Sequence, residues 1–95
     1  DTKNSIEIAT SNLIWNTSDC IVNIKRKVSN VRCCQIKGYF NCVKDFKDHS
    51  ILLNFSSDFL VKVLGEAGLH SRVAIGVSSL PLNSPVEIEG IFSIS

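Results

Sequence analysis

Between residues 6 and 28 the apolar positions fall at Ile6, Ala9, Leu13, Cys20, Ile24 and Val28, with Ile14 and Ile21 beside them. Steps of three, four and seven residues bring these side chains onto one stripe of a 3.6-residue helix, so the spacing predicts an amphipathic helix. Asn, Ser and Thr are frequent in it and compete for the backbone, so packing rather than propensity has to hold it. Trp15 reads as its core or interface anchor. After a break at Ser29-Asn30 the period changes to two. Residues 31–40 alternate as a strand, with Cys34, Ile36, Gly38 and Phe40 on one face and Cys33, Gln35, Lys37 and Tyr39 on the other.

Residues 41–50 are polar and charged and read as a loop. Ile51-Leu52-Leu53 then leads into a second helix starting near Ser56 or Ser57, with Asp58 in its first turn. Phe59, Leu60, Val63, Leu64 and Ala67 form its buried face, Gly65 weakens its last turn, and Gly68 suits the left-handed position that ends a helix. Two more strands follow, 72–77 and 86–94. The eight residues between them contain Pro81 and Pro85, too many for a tight two-residue hairpin. Strand, helix, strand over 31–77 predicts a crossover with parallel strands. Three strands are few for two helices to cover, so the pattern calls for a partner chain or for further strands ahead of residue 1.

Composition narrows this picture. Ninety-five residues, 44% of them apolar, make one domain over 1–95. Ten basic and nine acidic residues leave a net charge of +1, which argues against nucleic acid or an anionic membrane surface as partner. Lys25-Arg26-Lys27 reads as a solvated helix end. No apolar run reaches the ~18–20 residues of a membrane span, and residues 1–12 are too polar for a signal peptide. The sequence contains no Met, which suggests numbering that begins inside a longer product.

Cys20, Cys33, Cys34 and Cys42 fit either two disulfides, in any of three pairings, or free thiols in a reducing compartment. The second reading implies a cytoplasmic or organellar location. Zinc fails on spacing, because there is no Cys-x-x-Cys pair and His49 and His70 are isolated. No phosphate-binding or other cofactor motif is present, so no cofactor is expected.

The chemistry concentrates at the C-terminal strands. Alternation gives Arg72, Ala74 and Gly76 one face of their strand and Val73, Ile75 and Val77 the other. A guanidinium among small neighbours has room for a planar carboxylate, which it matches with two parallel hydrogen bonds; equally, a strand-end arginine can pair with a surface acid. Glu87 and Glu89 share a face of the last strand, as a solvated pair or with one serving as general base or water holder. His70 is a second acid–base group or a solvated loop residue. Cys34 and Cys42 lack a sequence-adjacent base, which gives thiol catalysis little support.

The run Gly-Glu-Ala-Gly-Leu-His-Ser-Arg-Val-Ala-Ile-Gly-Val from Gly65, then Leu80-Pro81 and Val86-Glu87-Ile88-Glu89, resembles the C-terminal signature of the Rid (YjgF) family of imine and enamine deaminases, formerly labelled L-PSP endoribonucleases. The likeness runs loosely from residue 31, through Ile36 to Asn41 and Asn54, Ser57, Asp58 and Leu60, and is specific from Gly65 to Glu89. It implies a chorismate-mutase-like α/β (α+β) fold with a mixed sheet and two helices on one face. It also implies a homotrimer with ligand clefts between subunits, and an N-terminal β-rich portion that this chain lacks.

By that resemblance, Arg72 binds the carboxylate of a 2-imino or 2-enamino acid, Glu87 orients the attacking water, and Asn54 lies near the site beside the small residues Ala74 and Gly76. A cysteine common in the family is Ala74 here. A tyrosine and a serine of the family's cleft belong to the absent N-terminal portion. The alternatives are a non-catalytic carboxylate-binding member and the ribonuclease activity of the older label.

Overall fold

The computed structural model describes residues 2–23 and 27–95. Helix α1 spans Thr2–Asn23, strand β1 Val31–Asn41, helix α2 His49–Leu64, strand β2 Ser71–Val77 and strand β3 Val86–Ile94, with 3-10 turns at Gly65–Gly68 and Pro81–Asn83. Ile24, Lys25 and Arg26, which the sequence places at the end of the first helix, lie outside the described residues. Val28 is not helical.

The strands form one mixed sheet in the order β2-β1-β3. β1 and β2 run parallel, with Ile36 opposite Arg72 and Phe40 opposite Gly76, so the strand–helix–strand crossover is present. β1 and β3 run antiparallel from Val31 opposite Ile94 to Phe40 opposite Val86. Both helices cover one face of this sheet. There Ile6 of α1 and Leu53 and Leu60 of α2 pack with Cys33, Ile36 and Phe40 of β1 and Val86 of β3. The other face leaves Val73, Ile75 and Ile91 exposed.

Several boundaries and faces differ from the sequence expectation. α2 begins at His49, not near Ser56, and takes in Ile51-Leu52-Leu53. Its buried stripe is Leu53, Ser56 and Leu60, at helical spacing, while Val63 is exposed. A buried serine inside that stripe is tolerated because the Thr10 hydroxyl of α1 lies 2.8 Å from Ser56 Oγ and 2.7 Å from the Ile6 carbonyl. With one proton to give, Thr10 donates to the carbonyl and accepts from Ser56, so neither hydroxyl is left unsatisfied.

In β1 the register passes from Cys33 opposite Phe92 to Gln35 opposite Ile91, a bulge at Cys34. One extra residue reverses the alternation, so Cys33, not Cys34, shares the buried face with Ile36, Gly38 and Phe40. The two end-of-helix glycines also exchange roles. Gly65 has the positive φ of 63° that closes α2. Gly68 is needed for space, because a Cβ there would lie 2.5 Å from the Leu60 carbonyl oxygen. Trp15 is 75% exposed and Cys20 is exposed, so neither is a core residue. All four cysteines are free thiols.

Candidate functional site

The even positions of β2 face the helices and the odd ones face away, as the alternation predicts. Arg72 therefore turns toward α2. Its Nη1 donates to Ser57 Oγ at 3.1 Å and its Nη2 to the Ser50 carbonyl at 2.9 Å. Ser50, Asn54 and Ser57 are spaced four and three along α2 and so share one stripe, which puts Asn54 on the side of the helix that Arg72 meets.

The Ser57 hydroxyl is itself fixed. It lies 3.0 Å from His70 Nε2, and the other ring nitrogen, Nδ1, contacts the Gly68 carbonyl. A carbonyl only accepts, so Nδ1 carries the proton, Nε2 accepts from Ser57, and Ser57 accepts from Arg72. The relay runs Arg72 to Ser57 to His70 to the backbone, and it holds the guanidinium in a half-buried position. Among the described residues the one ion pair is Lys37–Glu89, so no acid pairs with Arg72.

Glu87 and Glu89 lie on the opposite, exposed face of the sheet. Glu87 stands across from Tyr39 in the β1–β3 register, and β1 separates it from β2. Arg72 and Glu87 of one chain therefore do not face each other. The two acids differ in their surroundings. Glu89 accepts a 2.7 Å hydrogen bond from the Tyr39 hydroxyl and has Lys37 Nζ at 3.9 Å. That hydrogen bond, with smaller contributions from desolvation and from the Glu89 and Glu87 charges, pushes the Tyr39 hydroxyl above its ordinary range. No hydrogen bond or ion pair engages the Glu87 carboxylate among the described residues, which leaves it the freer of the two.

The small residues beside Arg72 are occupied differently from the expectation. Ala74 packs against the core. Gly76 makes room for a side chain: a Cβ there would lie 2.3 Å from His49 Nε2 and 3.0 Å from Cys42 Sγ. His49, the first residue of α2, rests edge-on to Phe46 and Phe40 with centroids at 5.1 and 6.4 Å, and its Nε2 is 3.5 Å from Cys42 Sγ. Cys42, Phe46, His49 and Gly76 line an open cleft of about 420 Å³ at the C-terminal ends of the parallel strands β1 and β2. Open α/β sheets commonly bind ligands at that end. Sequence reasoning missed this pair because the base is seven residues from the thiol, across a loop that reads as merely polar. It missed the Ser57–His70 contact because the two belong to different elements. Among the described residues no three His, Cys, Asp or Glu side chains cluster as metal ligands.

The fold is shared with solved structures. A protein of unknown function from Agrobacterium tumefaciens, Atu1372, superposes with a TM-score of 0.86 at 28% identity, over 100% of this chain and 61% of its own. A protein of Shewanella oneidensis MR-1 described as a "putative endoribonuclease" superposes at 0.80 with 24% identity, over 100% of this chain and 62% of its own. Protein TCP17 of Trypanosoma cruzi is 31% identical over 65 residues, 67% of this chain and 41% of that protein. No protein-family model matches the chain. The chain thus has an L-PSP-like fold, a mixed sheet with two helices on one face, and it spans less than two thirds of the length of each of these relatives. No helix among the described residues is long and apolar enough to cross a membrane.

Proposed function

We propose that the chain carries the carboxylate-binding part of a hydrolase that deaminates 2-imino and 2-enamino acids to 2-oxo acids and ammonia. The observation that supports this most is the Arg72 guanidinium. It is fixed at two nitrogens by Ser57 and the Ser50 carbonyl and faces no acid among the described residues, with N–H groups left over for an incoming carboxylate. Such a fork, held in place before the ligand arrives, binds a carboxylate with little loss of side-chain freedom.

With the carboxylate held, hydrolysis asks only for a placed water and a base. A carboxylate at the Glu87 position takes a proton from water as its oxygen adds to the imine carbon. The carboxylic acid so formed returns that proton to the nitrogen of the carbinolamine, the C–N bond breaks to release ammonia, and the hydroxyl gives up its proton to the carboxylate as the carbon becomes the keto carbon of a 2-oxo acid. Enamino acids reach the same carbon after tautomerising. Positioning supplies most of the rate, since the imine is already reactive. Glu87 faces away from Arg72 of its own chain, so the reading requires Glu87 from a second copy, as in the homotrimer that the Rid resemblance implies.

Ammonia release from a freshly generated 2-imino acid tests the reading. Arg72→Ala and Glu87→Gln should each lower the rate by about 100-fold or more. Mixing the two variants should restore part of it, because one intact cleft then forms between unlike copies. Undiminished turnover by Arg72→Ala overturns the proposal. Saturable 2-oxo acid binding that depends on Arg72, without turnover in the unaltered protein, supports instead a non-catalytic carboxylate-binding member. The Shewanella neighbour's description favours one other reading, RNA cleavage. Incubation with single-stranded RNA checks it, and cutting that survives Arg72→Ala would point away from this cleft.

A further inference from the structure

We propose that Cys42 and His49 form a second reactive site, a thiol with its own base, which adds to small α,β-unsaturated carbonyl compounds carrying an anionic group. Three observations carry it, and none depends on Arg72. Cys42 Sγ lies 3.5 Å from His49 Nε2, within reach of proton transfer between sulfur and imidazole. The imidazole has a purpose-built seat: Gly76 is the residue whose missing side chain admits it, and Phe40 and Phe46 hold it edge-on. The pair opens on a cleft of about 420 Å³, whose lining includes Val43 and Phe46 as apolar wall and Lys44 as its one formally charged side chain. A small conjugated molecule with an anionic end fits both the wall and the lysine.

The step balances without an oxidant. His49 takes the thiol proton, the thiolate sulfur bonds to the β-carbon, and the π pair moves to the α-carbon. That carbon receives the proton back from His49, leaving a thioether and a neutral imidazole. The other cysteines lack this arrangement. Cys33 is buried, and Cys20 and Cys34 are exposed with no imidazole within hydrogen-bond distance among the described residues.

The test uses N-ethylmaleimide and 3-maleimidopropionate as neutral and anionic probes at pH near 7, with the site of addition read by mass spectrometry. Cys42 should react about tenfold faster than Cys20 or Cys34, and faster still with the anionic probe. His49→Gln should bring Cys42 down to the rate of the exposed cysteines. Lys44→Gln should abolish the preference for the anionic probe while leaving the neutral rate unchanged. Gly76→Ala, which replaces neither partner but puts a methyl group into the seat of the imidazole, should act like His49→Gln. Circular dichroism identifies any variant that fails to fold, and the remaining variants then decide. A Cys42 rate equal to that of Cys34, or one unchanged in a folded His49→Gln protein, overturns the proposal. Equal loss of both probes in Lys44→Gln overturns the anionic class alone.

Discussion

Cys33 is fully buried beneath the helices, and that burial, with Cys34 adding in the same direction, pushes its thiol above the ordinary range. The sign of the consequence follows from linkage. Above the ordinary thiol pKa the unfolded chain gives up a proton that the folded chain keeps, so the folded state binds more protons and stability falls as pH rises. Denaturant midpoints taken from about pH 7 to about pH 10 should therefore decline. Cys33→Ala should flatten that decline, and an unchanged slope would remove Cys33 as its source. Tyr39, raised mainly by its hydrogen bond to Glu89, acts with the same sign from the exposed face, so Tyr39→Phe separates the two. Cys42 was readable in the sequence only as a thiol without a base. Its base became visible once the turn after β1 returned the chain to the start of α2.

At the scale of elements, α1 and α2 share a buried polar contact inside an apolar interface, the Thr10–Ser56 pair. Thr10→Val strips the acceptor from a buried serine hydroxyl and should cost about 1–3 kcal/mol in urea unfolding. Adding Ser56→Ala should recover part of that loss, since the orphaned hydroxyl is then gone. A single variant as stable as the parent would show that water or a rotamer change satisfies Ser56. This pair also explains how far the helices were legible. The sequence starts the second helix about two turns late because Ser56 and Ser57 look like a cap, and only the partner on α1 makes a buried serine acceptable. Strand faces were legible where alternation was unbroken. β2 and β3 present the residues expected on each side, and the parallel crossover follows from element order alone. In β1 the bulge at Cys34 reversed the faces, and nothing in the local pattern marks it. Of the candidate site, Arg72 and Glu87 were read from a motif, but their placement on opposite faces depends on strand order, which periodicity does not encode.

At the scale of the whole molecule, the described residues cover the sheet on one side only, and its other side carries Val73, Ile75 and Ile91 beside Glu87. If copies assemble through this side, Ile75→Glu should lower the sedimentation coefficient to that of a monomer and, on the proposed function, abolish turnover together with assembly. An unchanged assembly would move the contact elsewhere. The strand order has a consequence in time as well. β1 lies between β2 and β3, yet β3 is made after both: Val31 waits for Ile94, and Phe40 for Val86. During synthesis β1, α2 and β2 can close their local crossover early, while one whole edge of β1, with its unpaired N–H and C=O groups, stays open until β3 emerges. Non-local pairing of this kind is slow and leaves a strand edge available to other chains. Nascent chains stalled before residue 86 should therefore aggregate more readily than chains stalled after residue 94, because release of residues 86–94 closes that edge of β1.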